Sequence, residues 1–145
     1  MTPTTFSDAL LRLALAAALG GAIGLEREFH QKPAGLRTNM LIALGSALFA
    51  ILSVELGAGA GSPDRIAAQV VTGIGFLGAG AILRSGDHIH GLTTAATIWV
   101  NAAIGMAAGL GSYTIATVGA AITLVVLALL PIMENLVERR RGGPP

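Results

Sequence analysis

Glu26, Arg27, Glu28, Arg37, Asn39, Arg84, Thr93 and Thr94 are polar residues at the ends of long apolar runs. Carboxylates, guanidinium groups and hydroxyls placed there can hold an ion or a partner protein, or serve as anchors and ion pairs such as Glu26 with Arg37. A second set interrupts the runs themselves: Gln69, Thr97, Trp99 and Asn101. Asn101 falls near mid-run and Gln69 nearer one end. Both amides are neutral, so each serves either as interhelical glue, worth roughly 0.6–2 kcal/mol in a membrane, or as the lining of a pathway. Trp99 reads as a helix-contact residue whose indole N–H needs a partner. No carboxylate lies in mid-run, although a dehydrated divalent cation usually asks for anionic oxygen. Glu26, Glu28, Glu55 and Asp64 all fall near run ends.

Other patterns carry less. Gly73-Ile74-Gly75-Phe76-Leu77-Gly78 matches G-x-G-x-x-G, but the dinucleotide fingerprint counts only between a strand and a helix. Here apolar residues flank it on both sides. Asp87-His88-Ile89-His90 offers two imidazoles and a carboxylate in a turn, which reads as a solvated loop and not as a metal site. The chain has no cysteine, which excludes disulfides, thiolate metal sites and cysteine nucleophiles. No serine–histidine–acid set or phosphate-cradling loop is present. The expectation is a protein without catalytic residues, cofactor or bound metal.

The elements that position these residues must be lipid-soluble. Of 145 residues, 53% are hydrophobic and 12% charged, about half the roughly 25% charge of soluble domains, and mean hydropathy is +0.73. With 20 glycines and only 4% aromatics, the helices must meet through small side chains. A formal net charge of +1 gives no reason to expect nucleic acid.

Five apolar runs have the length of about 20 residues that a transmembrane helix needs: about 9–25, 38–56, 65–83, 92–110 and 113–133, followed by a basic tail at 134–145. The first has no basic residue before Arg12 and Glu-Arg-Glu after it, the reverse of a secretory signal, so it stays as a span. Gly20 and Gly24 form a G-x-x-x-G in it. Asn39, Ala43, Ser46, Ala50, Ser53 and Gly57 repeat at four and three along the second, which places its small face toward protein. Thr93, Thr97, Asn101, Gly105 and Gly109 recur by fours along the fourth. The run from Arg65 carries Gly73, Gly75, Gly78 and Gly80 and is expected to be the buried central span. Residues 84–91 are expected to be a short turn. An odd number of spans separates the termini, and a cytoplasmic C-terminus puts seven basic residues inside against Arg12 and Arg65 outside, the positive-inside arrangement.

Gly24–Glu28, Ala34–Phe49, Arg65–Ile82 and Gly91–Gly111 together resemble the MgtC/SapB membrane proteins, in order and over nearly the whole chain. The resemblance implies a multi-helix inner-membrane domain. Some members add a soluble C-terminal domain that this chain is expected to lack. The family pattern often has histidine where Asn39 stands, so a proton-responsive role at that position does not transfer unchanged. The resemblance implies an association with magnesium limitation and, for some members, action by binding other membrane proteins, including the ATP synthase.

The expected protein is therefore an all-α integral membrane bundle of five spans with glycine- and alanine-rich contacts, in lipid, self-associating and with a dimer favoured. Its expected role is regulation through the cytoplasmic polar cluster and another inner-membrane protein. The alternative is passage of Mg²⁺ or another small solute between the third and fourth spans or through a dimer. A third option is a purely structural subunit.

Overall fold

The structure, a computed structural model, describes residues 4–57, 65–85 and 88–140. The side chains of Arg84, Ser85, Ile132 and residues 134–140 lie outside that description, as do Asp64, Asp87 and residues 141–145. The described chain forms α1 (Phe6–Phe29), α2 (Leu36–Gly57), α3 (Arg65–Gly80), a ribbon of β1 (Leu83–Ser85) and β2 (His88–His90), α4 (Leu92–Gly109) and α5 (Tyr113–Arg140). Among the described residues, four helices are long and apolar enough to cross a membrane: α1, α2, α4 and Tyr113–Pro131 of α5.

Thr5 starts α1 by accepting a hydrogen bond from the Asp8 N–H at 3.3 Å, the usual role of a hydroxyl at a helix start. A tight loop joins α1 to α2 through two left-handed non-glycine residues, Gln31 (φ 51°) and Ala34 (φ 58°). Local bonds offset the cost of that conformation. The Gln31 N–H donates to the Glu28 carbonyl at 3.0 Å and the Lys32 N–H to the Arg27 carbonyl at 2.9 Å.

Missing side chains set the helix contacts. A Cβ on Gly20 would lie 2.7 Å from the Asn39 carbonyl oxygen, and one on Gly24 would lie 2.7 Å from the Leu36 Cα. These contacts make α1 and α2 an antiparallel hairpin whose backbones touch. A Cβ on Gly105 would meet the Ala43 Cα at 2.7 Å, and one on Gly109 the Ala47 Cα at 2.7 Å. Both helices advance by four between those contacts, so α2 and α4 run parallel. Ala16, Ile23, Ala43, Ala47, Ile104, Ala108, Ala116, Ala120 and Leu127 form the core that joins α5 to this trio.

The third helix departs from expectation. It packs mainly against α2 and α4, and only Ile74 and Gly78 on it are buried. A Cβ on Gly78 would sit at an ordinary 3.6 Å from the Ala95 carbonyl, while Gly73, Gly75 and Gly80 face nothing within 4 Å. So α3 is peripheral and not the buried centre, and those three glycines make no helix contact inside this chain. The centre is already filled by the glycines and alanines of α1, α2 and α4. With 16 residues at about 1.5 Å each, α3 covers about 24 Å, short of the roughly 30 Å hydrocarbon core. Its first turn is tied to α2 by the Ala67 N–H, which donates to Ser53 Oγ at 3.1 Å.

Two smaller differences concern connections. The expected turn at 84–91 contains an antiparallel ribbon pairing Leu83 with His90 and Ser85 with His88. Helix α5 holds Pro131 internally and continues to Arg140, so 134–140 extend the helix.

Candidate functional site: a polar cluster where α1, α2 and α4 meet

The first turn of α2 turns Asn39 toward Gly20 and Gly24 of α1, and the middle of α4 brings Asn101 to the same place. Asn101 Nδ2 donates to the Asn39 carbonyl oxygen at 2.8 Å and to its Oδ1 at 3.0 Å. Asn39 Nδ2 in turn donates to the Ala34 carbonyl and to the Gly35 carbonyl at 3.1 Å. Both side chains are 0% exposed. A continuous hydrogen-bonded path therefore links α4, α2 and the strained α1–α2 loop. Asn101 thus sits at the middle of α4 and beside the first turn of α2.

Arg27 is 5% exposed, and its Nη1 lies 3.7 Å from Glu26 Oε2. Among the described residues, Arg27 Nε, Glu26 Oε2 and Asn101 Oδ1 are buried without a hydrogen-bond partner. His30 Nδ1 stands 3.1 Å from Glu26 Oε1. Glu26 thus pairs with Arg27 and His30, and the expected Glu26–Arg37 pair does not form. Arg37 is exposed because it stands two residues before Asn39, about 200° around the helix from it and away from α1. Glu28 caps a helix: its Oε2 accepts the Leu36 N–H at 2.9 Å.

On α4, Thr94 and Thr97 are buried and Thr93 is exposed. Thr97 Oγ1 donates to the Thr93 carbonyl at 2.7 Å, satisfying its hydroxyl within the helix. Glu26, Arg27, Asn39, Thr94, Thr97 and Asn101 therefore lie inside one end of the bundle, and Glu28, Arg37 and Thr93 lie on its surface. The side chain of Arg84 lies outside the described residues.

Gln69 and Trp99 do not join this cluster. Trp99 is 54% exposed, and its indole makes no hydrogen bond among the described residues. It borders a gap of about 30 Å³ with Val70, Val71 and Ile74, which leaves little space along the α3–α4 route of the alternative reading. The larger opening is a groove of about 680 Å³ between α2 and α3, with Thr38, Ser46 and Gln69 as its polar side chains. His88 and His90 are exposed on the ribbon with ring centroids 6.3 Å apart. Among the described residues, no three His, Asp or Glu side chains gather as a metal site would require.

One structural contact escaped sequence reasoning. Arg12, counted only as an outer charge, sends Nη1 to the Gly109 carbonyl at 3.0 Å. It thereby stabilises the C-terminal end of α4, where a cation is favoured. A lone arginine one turn inside an apolar run was the available signal.

The pattern that defines the MgtC family matches residues 13–136. "Putative magnesium transporter YhiD" of Escherichia coli K12 is 52% identical over 128 residues, covering 83% of this chain and 60% of its own. "Protein MgtC" of Brucella abortus is 48% identical over 134 residues, covering 90% of this chain and 56% of its own. "Protein MgtC" of Salmonella typhimurium is 49% identical over 130 residues, covering 90% and 54%. The chain spans between 54% and 60% of the length of these relatives. No solved structure matches it. With four helices able to cross a bilayer and relatives about half identical over most of its length, this chain belongs to the MgtC family of multi-pass bacterial membrane proteins.

Proposed function

We propose that this chain is an inner-membrane regulatory protein in magnesium homeostasis that acts by binding another membrane protein. The observation that carries the reading is the closure of the bundle. Helices α1, α2 and α4 meet at backbone distance along Gly20, Gly24, Gly105 and Gly109, and Asn101 Nδ2 spends its hydrogen bonds on Asn39 inside the bundle. At the end where α1 runs into α2, exposed polar groups on Arg37, Thr93 and the α1–α2 loop are available for recognition. The positive-inside arrangement assigns that end to the cytoplasm, with the N-terminus outside and the C-terminus inside. The magnesium link comes from the name of the YhiD relative. No residue is assigned a catalytic role.

That same name favours a second reading, passage of Mg²⁺ or another small solute. Its route would follow the groove between α2 and α3, past Thr38, Ser46 and Gln69.

Arg37→Ala tests the first reading, because an exposed side chain without an ion pair among the described residues can be removed without disturbing the core. The variant should remain folded and abundant in the membrane and lose the partner that co-purifies with the parent protein. Undiminished capture by Arg37→Ala and by Thr93→Ala together would overturn the assignment of this end as the recognition surface.

A further inference from the structure

We propose that the groove between α2 and α3 is a phospholipid site. An acyl chain lies along the groove, and the phosphate sits at its mouth beside Arg37 and Thr38. The groove has a volume of about 680 Å³ and is walled chiefly by apolar side chains. Leu41, Phe49 and Leu77 on its rim are exposed, so it opens outward, and outward from a membrane-crossing bundle is hydrocarbon.

The sequence makes this gap. Its lining positions, 38–49 on α2 and 66–77 on α3, each recur at three- and four-residue steps along one helix face. Ala67 is bonded to Ser53, and Gly78 lies beside Ala95 in the first turn of α4. Helix α3 therefore runs antiparallel to α2 and brings Leu77 to the level of Thr38. Gly45 and Gly73 line the middle of the groove, and a Cβ on either would meet nothing within 4 Å. Two absent side chains hold open a space that two leucines would close.

Depth, polarity and charge select a lipid as the occupant. From Thr38 to Phe49, at about 1.5 Å per residue, the groove runs about 16 Å. That is about half of the roughly 30 Å hydrocarbon core, the depth of one leaflet. Just past Phe49 and Ile66, the Ala67–Ser53 hydrogen bond ties α3 to α2. A partner helix must cross the whole core, whereas an acyl chain enters from one leaflet and ends at the midplane. Ser46 borders the groove but is 3% exposed, so the accessible polar side chains are Thr38 at the mouth and Gln69 near the far end. The stretch between them suits hydrocarbon. Arg37 precedes the rim residue Leu41 by four, which puts it on the same stripe one turn nearer the water. It is exposed, and a guanidinium pairs with phosphate oxygens. Its five donors can hold a phosphate and a protein partner together.

Delipidated protein in mild detergent, titrated with palmitoyl-oleoyl phosphatidylglycerol and read by native mass spectrometry, should saturate at one retained lipid per chain. Gly45→Leu and Gly73→Leu should each weaken retention roughly tenfold or more, the loss expected when a couple of methylenes are turned out of the groove. Gly75→Leu is the control. Its Cβ also meets nothing within 4 Å, but it does not line the groove, so it should retain lipid like the parent. Arg37→Ala should weaken phosphatidylglycerol roughly fivefold and leave retention of the phosphate-free diacylglycerol unchanged. Gly45→Leu keeps Arg37 and Thr93 in place, so its lipid loss is read apart from the partner capture that tests the regulatory role. Non-saturating retention, equal loss in Gly75→Leu, or undiminished retention in both groove variants would overturn the site. Equal affinity of Arg37→Ala for phosphatidylglycerol would overturn the placement of the phosphate.

Discussion

Asn101 donates to the carbonyl oxygen and the side-chain oxygen of Asn39, at 2.8 Å and 3.0 Å, across 62 residues of sequence. This pair fixes the register of α4 on α2 and, through Asn39 Nδ2, the shape of the α1–α2 loop. Asn101→Leu should destabilise the protein by about 1–3 kcal/mol, the cost of leaving buried polar groups unpaired. A double-mutant cycle with Asn39→Ala, read by reversible unfolding in detergent, should return a coupling of roughly 0.6–2 kcal/mol. Additive effects would mean that the two amides act separately.

Gly105→Ala should separate α2 from α4, since a Cβ there would sit 2.7 Å from the Ala43 Cα. Overpacking of this kind costs about 1–3 kcal/mol. Gly45→Ala should be neutral or stabilising by up to about 1 kcal/mol, because its Cβ meets nothing within 4 Å and alanine is the better helix former. Melting of the two variants side by side checks both directions.

Glu28 holds the first N–H of α2 at 2.9 Å. Glu28→Ala should cost about 0.5–2 kcal/mol, the range for loss of a helix-capping acceptor. Glu28→Gln, which keeps an acceptor oxygen, should cost less. Hydrogen exchange at the Leu36 amide should rise in the first variant more than in the second.

Arg12→Ala should free the Gly109 carbonyl and loosen the α4–α5 turn, where a hydrogen bond from a charged donor is worth about 1.5–3 kcal/mol. Arg12→Lys should recover part of that stability through one shorter donor. Faster exchange at Leu110 and Gly111 in Arg12→Ala is the local readout.

Four helices were legible because long apolar runs end at Glu26–Gly35, at the glycines before Asp64, and at Gly111. The pairing of Asn39 with Asn101 was half legible. The small-residue stripes Asn39–Ala43 and Asn101–Gly105–Gly109 share a four-residue step, and matching them in phase yields the observed contacts. Nothing local fixes which helix a stripe will face, so register had to come from three dimensions. The glycines of α3 show the limit most plainly. A glycine that admits a neighbouring backbone and one that faces outward are the same letter, and only the packing of α1, α2 and α4 reveals that the centre was already occupied.

Reconstitution tests the central claim, a bundle that signals by contact and not by conduction, most directly. Purified protein is placed in liposomes containing a magnesium-sensitive dye, and an inward Mg²⁺ gradient is imposed. The account predicts dye response equal to that of protein-free liposomes at every gradient. Saturable Mg²⁺ entry that scales with protein and is abolished by Gln69→Leu or Ser46→Ala, both on the α2–α3 groove, would contradict it.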